Sequence, residues 1–155
     1  MLEMDILGVS YSEEQHPPVV LLRHGDRVLP IVVGRAEAQA IHSGMTNQDL
    51  GRPMTHDLIC NVLAGLRGEL KSVTIYKLEN ETFYAHLNVE QQTLDGQIEQ
   101  VLRIDSRPSD GIAIATRVGC PIYAAEEVLD VAGQDVANLT PSDEDEEEEE
   151  EEDEY

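Results

Sequence analysis

Asp105-Ser106-Arg107-Pro108-Ser109-Asp110-Gly111 joins two stretches of different periodicity, and how it is read decides the fold. The run before it, Ile98 to Ile104, reads as a strand, and the run after it, Ile112 to Val118, carries apolar residues that suit a short helix. Pro108 restricts Arg107 to extended backbone and is itself tolerated in a first helical turn, so the helix is expected to begin at about Pro108. Asp105 then ends the strand and Asp110 lies in the first turn. A helix amino terminus offers unpaired N–H groups and a partial positive charge, which makes the junction good ground for a phosphate or a metal-bound substrate. A plainer reading covers part of the stretch: Ser106 or Ser109 caps the helix and Asp110 complements its dipole. Capping leaves Asp105 and Arg107 unexplained.

Upstream, Arg52-Pro53-Met54-Thr55-His56-Asp57 repeats the same logic, an Arg-Pro pair followed closely by Asp where a helix starts. That helix is the clearest element of the chain, because Leu58, Ile59, Val62, Leu63 and Leu66 follow the spacing of a buried stripe, with Thr55 as its natural cap. His56 is the residue type suited to general acid or base work, and Asp57 is placed to orient it, to bind a metal or to favour the helix dipole. The bland alternative is a solvated first-turn histidine. Two such junctions are able to face one cleft.

Further out, residues 2–11 and 19–33 read as strands, the second folded into a hairpin at His24-Gly25-Asp26. Residues 36–45 place Ala36, Ala40, Ile41 and Met45 near one helical face, with Gly44 marking the end. Residues 72–78 and 82–89 flank Glu79-Asn80-Glu81 as a second hairpin, in which Phe83, Ala85, Leu87 and Val89 alternate as a half-buried strand should. A short strand at 121–124 and a helical piece at 125–132 complete the domain. Strand 28–33 followed by Gly34-Arg35 and a helix echoes strand 100–105 followed by Ser106-Arg107 and a helix. The expected fold class is therefore α+β, with a mixed, largely antiparallel sheet built from hairpins, two to three packed helices and a pseudo-duplicated plan.

Composition bounds the function. With 155 residues and 41% apolar content the chain fits one domain of modest core, expected over residues 1–132, followed by a linker and tail at 133–155. Residues 143–154 are all acidic and repel one another, so the tail is expected to be disordered. Without it the remaining 142 residues still carry 20 acids against 10 Lys and Arg, where the whole chain has a net charge of −22. Such a domain repels nucleic acid at long range and is a poor non-specific groove binder, although a local site built from Arg or a divalent metal remains compatible with it. Cys60 and Cys120 share no zinc or redox spacing and are expected to be reduced and partly buried. The amino terminus lacks a charged segment followed by an apolar run, and no stretch approaches ~20 apolar residues, so a cytoplasmic protein with no membrane association is expected.

Arg52-Pro53-Met54-Thr55-His56-Asp57-Leu58 and Asp105-Ser106-Arg107-Pro108-Ser109-Asp110-Gly111-Ile112-Ala113 resemble the two signature stretches of the bifunctional nuclease domain family. The resemblance spans about residues 1–132 and includes Leu29-Pro30-Ile31, Thr82-Phe83-Tyr84-Ala85 and Gly119-Cys120-Pro121-Ile122-Tyr123. Gly111 and Thr116 depart from it, where similar proteins more often have Ala and Leu. It implies a small α+β domain, a homodimer, acting on RNA, DNA or both. Combined with the residue chemistry, the leading reading is a phosphodiesterase assisted by Mg²⁺ or Mn²⁺. His56, Asp57, Asp105 and Asp110 would be its catalytic groups, and Asp105 and Asp110 would hold the metal. Arg52, Arg107, Ser106 and Ser109 would contact substrate, Arg because its planar fork pairs with phosphate. Two alternatives stand beside it. Asp105 and Arg107 would satisfy one another as a structural salt bridge, or the domain would be a non-catalytic, dimeric regulatory or anion-binding module. The acidic tail admits either a solubilising role or that of a polyanion mimic restraining the site.

Overall fold

The structure, a computed structural model, describes residues 1–11 and 16–139. The acidic run at 143–154 lies outside the described residues, and with it the expectation of a disordered tail. Chain order is β1 (Leu2–Ser10), β2 (Val19–His24), β3 (Arg27–Val32), α1 (Arg35–Met45), α2 (Thr55–Gly65), β4 (Gly68–Glu79), β5 (Thr82–Gln92), β6 (Ile98–Ser106), α3 (Pro108–Val118), β7 (Ile122–Ala124), α4 (Glu126–Ala132) and β8 (Gln134–Asp135). A single 3-10 turn, Val136–Leu139, follows. Residues 134–139 thus continue the domain beyond the boundary expected at 132, because β8 pairs with β3.

The eight strands form one sheet in the order β6-β5-β4-β7-β1-β2-β3-β8. Every pairing is antiparallel except β4 with β7. The α+β class with a mixed, largely antiparallel sheet is therefore correct, with four helices among the described residues where two to three were expected. The echo between the two halves is topological: β1-β2-β3 leads to α1 and β4-β5-β6 leads to α3, each a meander closed by a helix, with β7 between them. The turn residues explain the hairpins. Gly25 takes φ +59° between paired His24 and Arg27, and Asn80 and Glu81, at φ +49° and +63°, close the β4–β5 hairpin as a two-residue turn with both residues left-handed.

The helices cover one face of the sheet. Strand residues Val20, Leu22, Leu29, Val73, Ile75, Ala85, Leu87 and Val89 meet Ala38 and Ile41 of α1 and Ile112–Ala115 of α3 in a single apolar core. Fully burying one such large side chain contributes about 1.5–3 kcal/mol. Helices α1 and α3 pack closely because Gly44 stands against α3: a Cβ there would fall 2.0 Å from Thr116 Oγ1 and 2.9 Å from Thr116 Cβ. Gly44 thus marks the end of α1, which stops one residue later at Met45, and also lets the two helices approach.

Two expectations about α2 are corrected. Its N-cap is Met54, not Thr55, and the capping is done by Asp57, whose Oδ2 accepts the Met54 N–H at 2.9 Å. The stripe read as buried is also half open: Leu58, Val62 and Leu66 are 54%, 49% and 58% exposed, and His56 is the only buried residue of the helix. Periodicity reports which residues share a face, not what covers that face. Among the described residues no helix is long and apolar enough to cross a membrane.

Candidate functional site

Helix α3 begins at Pro108 with Arg107 as its N-cap, as the Arg-Pro pair dictates, and no side chain caps it. Neither serine takes the capping role offered to it: Ser106 Oγ donates to the Arg107 carbonyl at 2.8 Å, and Ser109 is buried in the first turn. The free amino terminus therefore points toward α1 and the start of α2. There one side of α1 from Ala36 to Ser43, the start of α3 together with Arg117 near its end, and residues between Gln48 and His56 enclose a cleft of about 380 Å³, within the usual size range for a small-ligand site.

Asp110 organises this cleft. One carboxylate oxygen lies 2.8 Å from His56 Nε2 and the other accepts from Arg107 Nε at 2.9 Å. Burial pushes the Asp110 carboxyl up, but the His56 and Arg107 hydrogen bonds outweigh it, so the group sits below its ordinary value and is ionised near neutrality. An ionised carboxylate only accepts, so His56 Nε2 donates in this contact and Nδ1 is the ring nitrogen left free of it. The His56 side chain is only 11% exposed, whereas that of Arg107 is 66% exposed. Arg107 also donates through Nη2 to Glu37 Oε1 at 3.2 Å, and its two carboxylate neighbours, Asp110 first, raise its pKa further. The guanidinium is thus aimed by paired carboxylates yet open to solvent.

The other residues singled out in the sequence divide. Asp57 is tied to α2 and α3 rather than to the cleft: beside its cap bond, Oδ1 accepts from Arg117 Nε at 2.7 Å. The Met54 N–H first, then Arg117, holds its carboxyl below the ordinary range. Arg52 is exposed in the loop before α2 and does not line the cleft. Asp105 is not in the site at all. It pairs across the sheet with His86, and the next residue, Ser106, faces α3, since its Oγ would lie 3.5 Å from a Cβ at Gly111. Successive strand residues point to opposite faces, so Asp105 projects from the face without α3, beside Arg103 and His86. Burial, then Arg103, lowers the His86 pKa there, while Asp105 opposes the shift.

That parity undoes the metal pair expected from Asp105 and Asp110. Both Asp110 oxygens are already engaged, and among the described residues no three His, Cys, Asp or Glu side chains converge as a metal-binding group. Oxygen-rich coordination of Mg²⁺ or Mn²⁺ does not fit this donor set. Two residues of the site were not foreseen. Glu37 occupies the same first-turn position in α1 that Asp110 occupies in α3, so the echo between the halves pointed to it. Arg117 carries no local signal: it is nearly buried at the end of α3, where Nη1 donates to the carbonyls of Ala40 and Ala113.

The family described as Bifunctional nuclease domain matches residues 19–137, which include both junctions. The chain belongs to the bifunctional nuclease domain family. An uncharacterised protein of Mycobacterium tuberculosis is 42% identical over 135 residues, covering 86% of this chain and 77% of that protein. Bifunctional nuclease 1 of Arabidopsis thaliana is 28% identical over 109 residues, 69% of this chain but 33% of that protein. Bifunctional nuclease 1 of Oryza sativa subsp. japonica is 24% identical over 139 residues, or 89% and 41%. This family member thus spans less than half the length of those two plant proteins. The residues that met in its cleft, His56, Arg107 and Asp110, come from the two stretches that carried the family resemblance.

Proposed function

We propose that the cleft cleaves phosphodiester bonds, with RNA as its substrate. The observation that carries this reading is the array His56–Asp110–Arg107, a buried imidazole held by an ionised carboxylate that also aims an exposed guanidinium. Asp110 fixes the ring and stabilises the imidazolium formed when Nδ1 accepts a proton, as a carboxylate does beside any histidine base. Arg107 pairs with the phosphate through its fork and stabilises charge developing on the phosphoryl oxygens. RNA suits this set because it brings its own nucleophile: the 2′-hydroxyl loses its proton to His56, its oxygen bonds to phosphorus, and the bond to the 5′-oxygen breaks. The products are a 2′,3′-cyclic phosphate and a 5′-hydroxyl, the latter protonated by solvent or imidazolium. The chemistry needs no ion that the donor set fails to hold.

The test uses a single-stranded RNA, the same oligonucleotide with one 2′-deoxy residue, and matching DNA. Cleavage should stop at the deoxy position and be absent on DNA. His56→Ala and Asp110→Asn should each reduce the rate about 10²–10⁴-fold, the range for positioned acid–base catalysis. Adding EDTA should leave it unchanged. DNA cleavage that depends on Mg²⁺ or Mn²⁺ would sink the proposal. RNA bound through Arg107 without turnover would favour the second reading, a non-catalytic anion-binding module, for which the exposed guanidinium at the α3 amino terminus speaks.

A further inference from the structure

We infer that the part of the cleft beyond Arg107 is a nucleobase subsite, read by Gln39 and Gln48 and selective for adenine or uracil. The inference rests on the RNA reading above and concerns the nucleotide whose 2′-hydroxyl attacks, since its base hangs from the same ribose. Ala36, Gln39, Ala40 and Ser43 follow the i, i+3, i+4, i+7 spacing of one helical face, and all four line the cleft. About 9 Å of helix rise separates Glu37, which braces Arg107, from Ser43. Ser43, Gln48 and Leu50 also border a second hollow beside Asp57, which Arg107 does not line. They therefore mark the far end of the cleft.

The amides on this stretch are uncharged and little engaged. Gln39 forms no side-chain hydrogen bond with any described residue, and the Gln48 side chain is held only by Ser43, whose Oγ donates to Oε1 at 3.3 Å. Arg117 borders the same space, but Asp57 and the carbonyls of Ala40 and Ala113 already take its Nε and Nη1. Leu50 and Met54, also in the wall, are 56% and 54% exposed. Large apolar side chains open to water in a cleft are surface that a bound ring covers.

Free amides beside apolar surface supply what an unpaired base requires, hydrogen bonds to its edge and contact on its ring. Such binding works at short range, which suits a chain whose net charge of −22 repels phosphate from afar. The amides also set the preference. With Gln48 Oε1 turned to Ser43, Nε2 is left as a donor. Gln39 brings an acceptor and a donor, and two N–H groups side by side repel, so its oxygen takes the middle place. The row donor, acceptor, donor pairs with a base edge that reads acceptor, donor, acceptor. Adenine presents that order at N7, N6 and N1, and uracil at O4, N3 and O2. Cytosine and guanine have no such edge, and each would leave an amide group unpaired.

The test titrates the full chain with 3′-AMP, 3′-UMP, 3′-CMP, 3′-GMP and inorganic phosphate by calorimetry. None of these probes has a phosphodiester bond, so binding is read without turnover. 3′-AMP and 3′-UMP should bind about tenfold more tightly than 3′-CMP and 3′-GMP, the order of discrimination of one bidentate amide contact, and inorganic phosphate should bind most weakly. Gln39→Leu should erase the difference among the nucleotides while phosphate affinity stays the same, and Arg107→Ala should weaken every probe. Gln39 is exposed on α1, so its variant should keep the wild-type circular dichroism. Equal affinities for the four nucleotides, a preference for 3′-CMP or 3′-GMP, or a preference that survives Gln39→Leu would overturn the subsite. In RNA, cuts should follow adenosine and uridine. A protein that binds 3′-AMP through Gln39 but leaves RNA intact would keep the subsite and defeat the cleavage reading, so the two ideas fail separately.

Discussion

At the residue scale the site turns on parity. Asp105 and Ser106 are neighbours in β6, yet one faces away from the helices and the other toward α3. A rise of one residue carries a side chain to the other face of a sheet, so proximity in sequence worked against the expected metal pair. Asp105→Ala should therefore leave the proposed RNA cleavage within about twofold, whereas Asp110→Asn should lower it by the 10²-fold or more expected of a positioned acid–base pair. Asp57 has a structural task, and its pH dependence should reveal it. Asp57→Ala removes the Met54 cap and strands a nearly buried Arg117, which should cost about 2 kcal/mol in denaturant melts near neutrality. Because the folded carboxyl sits below its unfolded value of about 3.9, that contribution is complete above about pH 5 and is lost as pH falls through the folded value. The stability gap between wild type and variant should close in acid and stay constant between about pH 5 and 7.

At the scale of elements, three helices share one device, a carboxylate at the third position of the first turn: Glu37 in α1, Asp57 in α2 and Asp110 in α3. The type of residue was legible at all three, since acids favour a helix start. Its use was not. Asp57 caps its own helix and locks α3, Asp110 holds a histidine from another helix, and Glu37 braces an arginine across the cleft. Start points set by Pro, turns set by Gly25, and alternating strands such as Phe83 to Val89 were readable because each depends on local backbone chemistry. Arg117 and the open side of α2 were unreadable because they depend on which surfaces meet. Gly44 belongs to this class, and it makes a sharp prediction. Alanine there should raise helix propensity by about 1 kcal/mol yet lower net stability by roughly 1–2 kcal/mol, because its Cβ would meet the fixed Thr116 Cβ and force α1 from α3. A thermal melt of Gly44→Ala that is unchanged or raised would show that the helix pair has slack.

At the scale of the molecule, charge and topology set different limits. Removing residues 143–155 takes out 12 of the 32 acidic side chains. RNA affinity and its salt dependence should nevertheless stay the same if the tail merely solubilises, because exposed charges beyond a Debye length of ~8 Å are screened at physiological salt. A clear rise in affinity on truncation, largest at low salt, would instead make the tail a competitor for Arg107. The sheet imposes a limit of another kind, in time. The two meanders, β1-β2-β3 and β4-β5-β6, touch in the sheet only through β7, three residues that pair with β1 by Leu2 to Met4 and with β4 by Val73 to Ile75. Until residues 122–124 have left the ribosome, β1 and β4 are open edges whose backbone groups await a partner. The nascent chain can complete each half early, but the two halves become one sheet only when this short linking strand is inserted, like a key placed between two finished walls.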